Sequence, residues 1–266
     1  MISADSRQFF KEISIGTAKP DASELAEAKH HFISSHSIFD EINAGRFEVE
    51  ALNLIADLHK KYDQLIMVGG SGLYINAVCD GLDDLPKADE DLRQQIVDTY
   101  EKEGLDYLQN EVKRLDPEYF GQVDQSNPQR LMRALEVCLM TGQPFSSFRN
   151  NSAKKRPFEI IKIGLNLPRE ELYARINHRV DLMVEAGLVE EAKAMYPHKE
   201  TYALQTVGYT ELFDYFDGKH SLDRAIELIK QNTRRFAKRQ ITWFNRDKNT
   251  TWFRPDEVEE IVAFLA

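Results

Sequence analysis

No stretch of this sequence is apolar for long enough to cross a bilayer, and its first residues lack the basic, apolar and small-residue order of a secretory signal. Cysteine is scarce too. Only two are present, which excludes a disulfide framework, and Cys79 and Cys138 both lie in apolar helical contexts that suit core thiols. Internal repeats and low-complexity segments are absent. His30-His31 is the one paired histidine motif, and no second ligand group lies at metal-binding spacing nearby. A structural or substrate-contacting pair is therefore expected, with no metal held by side chains. These absences lead to the expectation of a soluble cytoplasmic protein with no membrane partner.

What is present is ample. The 266 residues are 42% hydrophobic and 29% charged, enough to bury one substantial core and a smaller lobe. A net charge of −10 would disfavour a polyanionic partner if it were spread evenly. It is not. Lys230, Arg234, Arg235, Lys238, Arg239, Arg246 and Lys248 face only Asp247 in residues 230–248, a local +6 that leaves −16 elsewhere. Such a run reads either as a polyanion-binding face or as a solvated helix face.

The chain is best organised around residues 63–75. Leu65-Ile66-Met67-Val68 is an unbroken apolar run, which predicts a strand buried on both faces of a parallel sheet. Gly69-Gly70-Ser71-Gly72 follows, and Leu73-Tyr74-Ile75 opens a helical pattern. Strand, glycine turn and helix start together make either an anion pocket at a sheet's carboxyl edge or an ordinary strand–helix turn. Asp5 would sit at the end of an earlier strand, where α/β folds place functional groups.

Elsewhere the pattern alternates in the α/β manner. Pro20-Asp21 opens a short helix, and residues 47–61 form another with Val49, Leu52, Ile55 and Leu58 on one side. Residues 86–126 carry no strand pattern and form a charged helical insertion whose stripe includes Leu92, Ile96, Tyr100, Leu105, Leu108 and Val112. Residues 1–85 and 127–266 make the core. Asn127 caps a helix with Pro128 at its first position; on it Arg130 and Arg133 share a face, and Glu136 can pair with Arg133. Residues 158–167 alternate as a strand, Pro168 opens a long helix, and Ser221 caps the last long one. On that helix Arg234 with Lys238 and Arg235 with Arg239 form adjacent basic rows. A last strand at 251–253 and a closing helix at 255–265 complete the chain.

Six motifs in order resemble one family. They are Asp5-Ser6-Arg7-Gln8, Ile15-Gly16-Thr17-Ala18-Lys19-Pro20, Gly69-Gly70-Ser71-Gly72-Leu73-Tyr74, Pro128-Gln129-Arg130-Leu131 with Arg133-Ala134-Leu135-Glu136, Val207-Gly208-Tyr209, and Lys238-Arg239-Gln240-Ile241-Thr242-Trp243. Together they are similar to the ordered motifs of the bacterial tRNA dimethylallyltransferases. The resemblance implies a P-loop kinase-like α/β core with a parallel sheet and a helical insertion that contacts tRNA. It implies transfer of a dimethylallyl group from dimethylallyl diphosphate, with Mg²⁺, to N6 of adenosine 37 in the tRNA anticodon stem-loop, by a monomer. Asp5 matches the catalytic aspartate, and Ser71 stands where the family more often has threonine. The RNA contacts it implies are Asp5, Ser6, Arg7, Gln8, Ala77, Thr99, Gln129, Arg130, Arg133, Gln205, Thr206, Val207, Gly208, Tyr209, Lys238, Arg239, Gln240 and Trp243. Among these, Gln8, Gln129 and Gln205 suit base edges, and Arg130, Arg133, Lys238 and Arg239 suit phosphates. Tyr209 and Trp243 suit either a splayed base or the core.

One family element is missing. No Gly-x-x-x-x-Gly-Lys-Thr or Gly-Lys-Ser sequence occurs in these residues, and Gly69-Gly70-Ser71-Gly72 lacks the lysine that would replace it. Met1 falls where the family has passed its first strand and phosphate loop. The expectation is a fragment or short form impaired in catalysis, a tRNA-binding form without catalysis, or a P-loop small-molecule kinase relative.

Overall fold

The structure, a computed structural model, describes residues 1–149 and 153–266. In chain order it runs β1 (Ile2–Ser3), α1 (Ala22–Glu27), α2 (Ala44–Leu58), β2 (Met67–Val68), α3 (Gly72–Cys79), then α4 (Glu90–Glu103), α5 (Leu105–Leu115), α6 (Pro117–Phe120) and α7 (Pro128–Thr141). It continues with β3 (Lys162–Leu165), α8 (Arg169–Glu185), α9 (Leu188–Met195), α10 (Thr210–Phe216), α11 (Leu222–Phe244), β4 (Thr250–Phe253) and α12 (Val258–Leu265). Two compact units result: Met1–Cys79 with Arg156–Ala266, and Asp80–Lys155.

The larger unit is α/β, with parallel pairing as expected, but its sheet is in two pieces. β1 pairs with β2, with Ile2 opposite Met67, and β3 pairs with β4, with Lys162 opposite Thr250. His31 meets β1 only through an isolated bridge to Ile2. The apolar run at 65–68 is not buried on both faces. Leu65 and Met67 pack on the core, whereas Ile66 is 63% and Val68 49% exposed. Only one neighbouring strand and one packed face cover this strand among the described residues, so the run behaves as a half-buried alternation.

Helix ends follow their caps. Asp21 accepts from Glu24 N in a capping box, and Asn43 accepts from Arg46 N, starting α2 three residues before the periodicity does. That shift rotates the reading of α2. Ala44, Phe47, Ala51 and Ile55 face inward while Val49 is 60% exposed. Phe9, Phe32, Phe47 and Tyr74 meet in one aromatic group, with ring centroids of Phe9 and Phe47 5.2 Å apart.

The smaller unit is all helical among its described residues and wider than the 86–126 expected. α7, expected in the core, packs instead on α5: Leu131, Leu135 and Cys138 bury with Leu108 and Val112 in one cluster. The stripe from Leu92 to Val112 joins that cluster as expected. Asn127 accepts from Arg130 N with Pro128 at the helix start, and Asp116, almost fully buried, accepts from Tyr119 N and from Ser146 N and Oγ. The two cysteines are buried and free. No helix among the described residues is long and apolar enough to cross a membrane.

Candidate functional site

The β2–α3 turn sets the floor of the site. An added Cβ on Gly70 would collide with Gln240 Nε2, and one on Gly72 with the Trp243 indole. These glycines serve close approach: α11 lies directly against the turn, and Gln240 donates to Gly70 O at 2.9 Å. Ser71 joins the turn to the segment after β1. Its Oγ accepts from Ser6 N at 2.9 Å and donates to Ser6 Oγ at 3.0 Å, linking residues 65 apart in sequence.

Asp5 stands on that segment. Its Oδ1 accepts from Arg7 N at 2.9 Å, and Asp5 N donates to Ser3 Oγ. Burial pushes the Asp5 carboxyl above its usual range, against the N–H groups of Arg7 and Gln8 and the charges of Arg7 and Arg179, which favour the anion. A carboxylate displaced in this direction is a stronger proton acceptor than an exposed one.

A second loop closes one side. Ser14 N, Ile15 N and Gly16 N all donate to the Glu191 carboxylate at 2.8–3.0 Å, and Tyr209 donates its hydroxyl to the same group at 2.6 Å. Gln8 braces this loop further: Nε2 donates to Thr17 O and Ala18 O, while Oε1 accepts from Ser3 Oγ.

These elements surround one cavity of about 730 Å³. Asp5, Ser6, Arg7, Ser71, Gln205, Thr206, Val207, Gly208, Arg239, Gln240 and Trp243 line it, so eleven of the residues expected at the site are brought together. Arg179, on α8, lines it as well, and sequence reasoning does not find it. Nothing local marks it out on a helix rich in charge. Among the described residues neither the Arg179 nor the Arg239 side chain makes a hydrogen bond or ion pair, so two guanidinium groups face the cavity of Asp5.

Several residues expected at the site are engaged by the protein's own groups. Tyr209 is fully buried with its hydroxyl on Glu191, so it cannot stack a base. Both ends of the Gln8 amide are held by protein, which removes it as a base-edge reader. Ala77 is fully buried, and its carbonyl accepts from Arg156. Gln205 Nε2 donates to Lys199 O, although the residue still lines the cavity. Trp243 packs over Gly72. On α11 Lys230 pairs with Asp181. In the two basic rows of that helix Arg234 donates to Asn177 and Arg235 to Asn232, which leaves Lys238 and Arg239 as the exposed, unpaired members.

Thr99, Gln129, Arg130 and Arg133 belong to the smaller unit. Gln129 and Arg130 lie in the first turn of α7, and the Thr99 hydroxyl donates to Gln95 O. Arg133 donates to Glu136 at 2.9 Å and to Pro86 O at 2.7 Å, so its guanidinium braces buried structure.

A divalent cation finds no ready site. No group of three His, Cys, Asp or Glu side chains able to hold a metal occurs among the described residues. Near Asp5 the further side-chain oxygens include the Ser3 hydroxyl, which accepts from Asp5 N and donates to Gln8, and the Ser6 and Ser71 hydroxyls, which are bonded to each other. This donor set does not fit a protein-held Mg²⁺.

Comparison with known proteins agrees with the ordered motifs. The family model described as IPP transferase matches residues 8–247. A tRNA dimethylallyltransferase of Christiangramia forsetii is 55% identical over 97% of this chain and 85% of its own length. A tRNA dimethylallyltransferase 1 of Phocaeicola vulgatus is 47% identical over 100% and 88%. The solved full-length tRNA isopentenylpyrophosphate transferase of Bacillus halodurans superposes with a TM-score of 0.70 at 36% identity, covering 99% of this chain and 84% of that one. A eukaryotic dimethylallyltransferase solved while acting on tRNA reaches 0.81 at 26% identity, covering 97% and 68%. The model match across most of the sequence and relatives of this identity aligned nearly end to end lead to one conclusion: this chain belongs to the IPP transferase family.

Proposed function

We propose that this chain carries the acceptor half of a tRNA prenyl transfer: it binds the tRNA anticodon stem-loop and places N6 of adenosine 37 at Asp5 for a dimethylallyl group. The observation that carries this is the partly buried Asp5 carboxylate, its proton affinity raised, in a cavity shared with two unpaired arginines. The names of the relatives support the reaction.

The adenine amine is a poor nucleophile because its lone pair is delocalised into the ring. Asp5 orients the amine and accepts its proton as the new carbon–nitrogen bond forms. The allylic carbon–oxygen bond breaks at the same centre, and the diphosphate leaves with the electron pair. Arg179 and Arg239 stabilise the charge developing on it. Ser71 holds the Asp5 segment in place through Ser6. Mg²⁺ belongs to this reading only as a companion of the diphosphate, since the pocket's own donors do not form a cation site. We place the reaction in the cytoplasm, with its tRNA substrate, and take the protein to act as a monomer.

The second reading is tRNA binding without catalysis; these 266 residues hold no Gly-Lys-Thr or Gly-Lys-Ser phosphate loop, the element that would hold the diphosphate. On both readings these residues alone transfer little label. The test pairs stem-loop binding with single-turnover transfer of labelled dimethylallyl, on this chain and on a version extended by a relative's phosphate-loop segment. Binding by both is expected, with transfer by the extended protein falling about 10²- to 10⁴-fold in Asp5→Asn while affinity stays near its parent. Absent binding refutes both readings. A rate within a few-fold of the parent in Asp5→Asn refutes the first.

A further inference from the structure

Tyr202 is the most exposed of the large hydrophobic side chains among the described residues, and it is nevertheless held in place. It is 73% exposed, while the next two residues, Ala203 and Leu204, are buried at 2% and 0%. The turn carrying it is therefore anchored in the core and presents one ring outward. Arg7 fixes that turn from the other side: its Nη1 donates to Tyr202 O at 3.2 Å and to Ala203 O at 3.1 Å, and the guanidinium lies 5.2 Å from the centre of the Tyr202 ring. Gln205 Nε2 bonds Lys199 O across the base of the same turn, and Lys199 is held at 2.7 Å by Asp217.

Arg7 also lines the cavity of Asp5. One side chain thus joins the proton-accepting site to an outward aromatic ring, with a guanidinium over one face and 73% of the residue open to solvent. We infer that Tyr202 is a stacking platform for a nucleobase of the RNA loop next to the adenine that enters the cavity. The inference rests on the reading of this cavity as the adenine site.

The physical reason is the cost of extrusion. A base drawn out of its stack leaves its neighbour without a partner. A rigid aromatic ring at the rim offers that neighbour a new face, and it does so without choosing among bases, since every base has a π-face. Cation–π contact with Arg7 holds the ring at low cost in freedom.

The test measures binding of an anticodon stem-loop RNA to the full chain and to Tyr202→Ala, Tyr202→Leu and Tyr202→Phe. Each RNA carries either an intact base or an abasic sugar at one of the two positions flanking the target adenine. Tyr202→Ala and Tyr202→Leu should weaken binding roughly 5- to 150-fold, the range for one stacked base. Tyr202→Phe should stay within about twofold. At one flanking position, and only there, the abasic RNA should bind wild type and Tyr202→Ala alike. The side chain is exposed, so melting temperatures should not separate the variants. Tyr202→Ala binding intact RNA as tightly as wild type overturns the platform while leaving the adenine site standing. Equal loss with intact and abasic RNA at both positions also overturns it. Wild type failing to bind at all overturns the site reading and the platform together.

Discussion

Glu191 holds four donors on two oxygens, and this makes its amide analogue a poor substitute. Oε2 accepts from Ser14 N at 2.8 Å and Ile15 N at 3.0 Å; Oε1 accepts from Gly16 N at 3.0 Å and the Tyr209 hydroxyl at 2.6 Å. In Glu191→Gln one oxygen becomes an NH₂ group: turned toward Ser14 N and Ile15 N it loses both bonds, and turned toward Gly16 N and Tyr209 it loses the Gly16 bond, since the Tyr209 hydroxyl can reverse and accept; either way the bonds that remain lose their charge. A bond to a charged group contributes about 1.5–3 kcal/mol, so losing one such bond and the charge behind the others should cost about 2–3 kcal/mol. Glu191→Ala should cost more, since it removes all four bonds and leaves three backbone N–H groups to find water. Both tryptophans, Trp243 and Trp252, lie in the larger unit, so urea unfolding followed by tryptophan fluorescence reads that unit alone. Tyr209→Phe removes the hydroxyl that lets the amide turn, so the Glu191→Gln and Tyr209→Phe costs should fail to add, the coupling expected of residues that touch. Glu191→Gln within about 1 kcal/mol of wild type at unchanged slope would refute the reasoning. Gly16, Thr17 and Ala18 line the cavity, so the same variants should weaken stem-loop binding before they unfold the protein.

Two further outcomes follow from the site. Burial raises the Asp5 carboxyl, so folding disfavours its ionised form: the stability it contributes is full below the unfolded value near 3.8 and is lost as pH rises through the folded value. Asp5→Asn should therefore match or fall below wild type in melting temperature at low pH and exceed it at neutral pH; a wild type that gains on the variant as pH rises contradicts the burial argument. Lys238→Ala with Arg239→Ala should weaken stem-loop binding and flatten its salt dependence by about 0.7–0.9 log units for each phosphate no longer neutralised, read from binding titrations at several salt concentrations. Arg235→Ala, whose guanidinium is tied to Asn232, should change that slope little.

Local chemistry is legible wherever a residue acts on its own neighbours. Asp21, Asn127 with Pro128, and Ser221 cap the helices their sequences announce, because a cap needs only donors two or three residues on. The α/β class and parallel pairing follow from alternation, and the stripe of the helical unit from periodicity. The apolar run at 65–68 misleads because a run shows that side chains are apolar and not that both faces are covered. Ile66 and Val68 stay exposed for that reason.

The site residues divide on the same physical line. Asp5 and Ser71 can be brought together from sequence because strand ends and glycine turns converge at one edge of an α/β sheet. Arg179 and Glu191 escape sequence reasoning because the groups they act on come from other elements: the charge of Asp5 for one, residues 14–16 and Tyr209 for the other. Gln8 and Tyr209 look like RNA contacts because an amide or a phenol suits a base. The same groups suit loop carbonyls and a carboxylate equally well. What decides between them is supply. The loop of residues 14–18 must run along the cavity with its carbonyls and N–H groups unpaired by any sheet, and buried or half-buried backbone groups demand partners. Gln8 meets two of those carbonyls, and Glu191, backed by Tyr209, meets three of the N–H groups. A polar residue beside a functional loop is therefore claimed first by the loop's own backbone. It is left for a ligand where, as with Arg179 and with Arg239 over the Phe236 ring, no protein acceptor has taken its N–H groups.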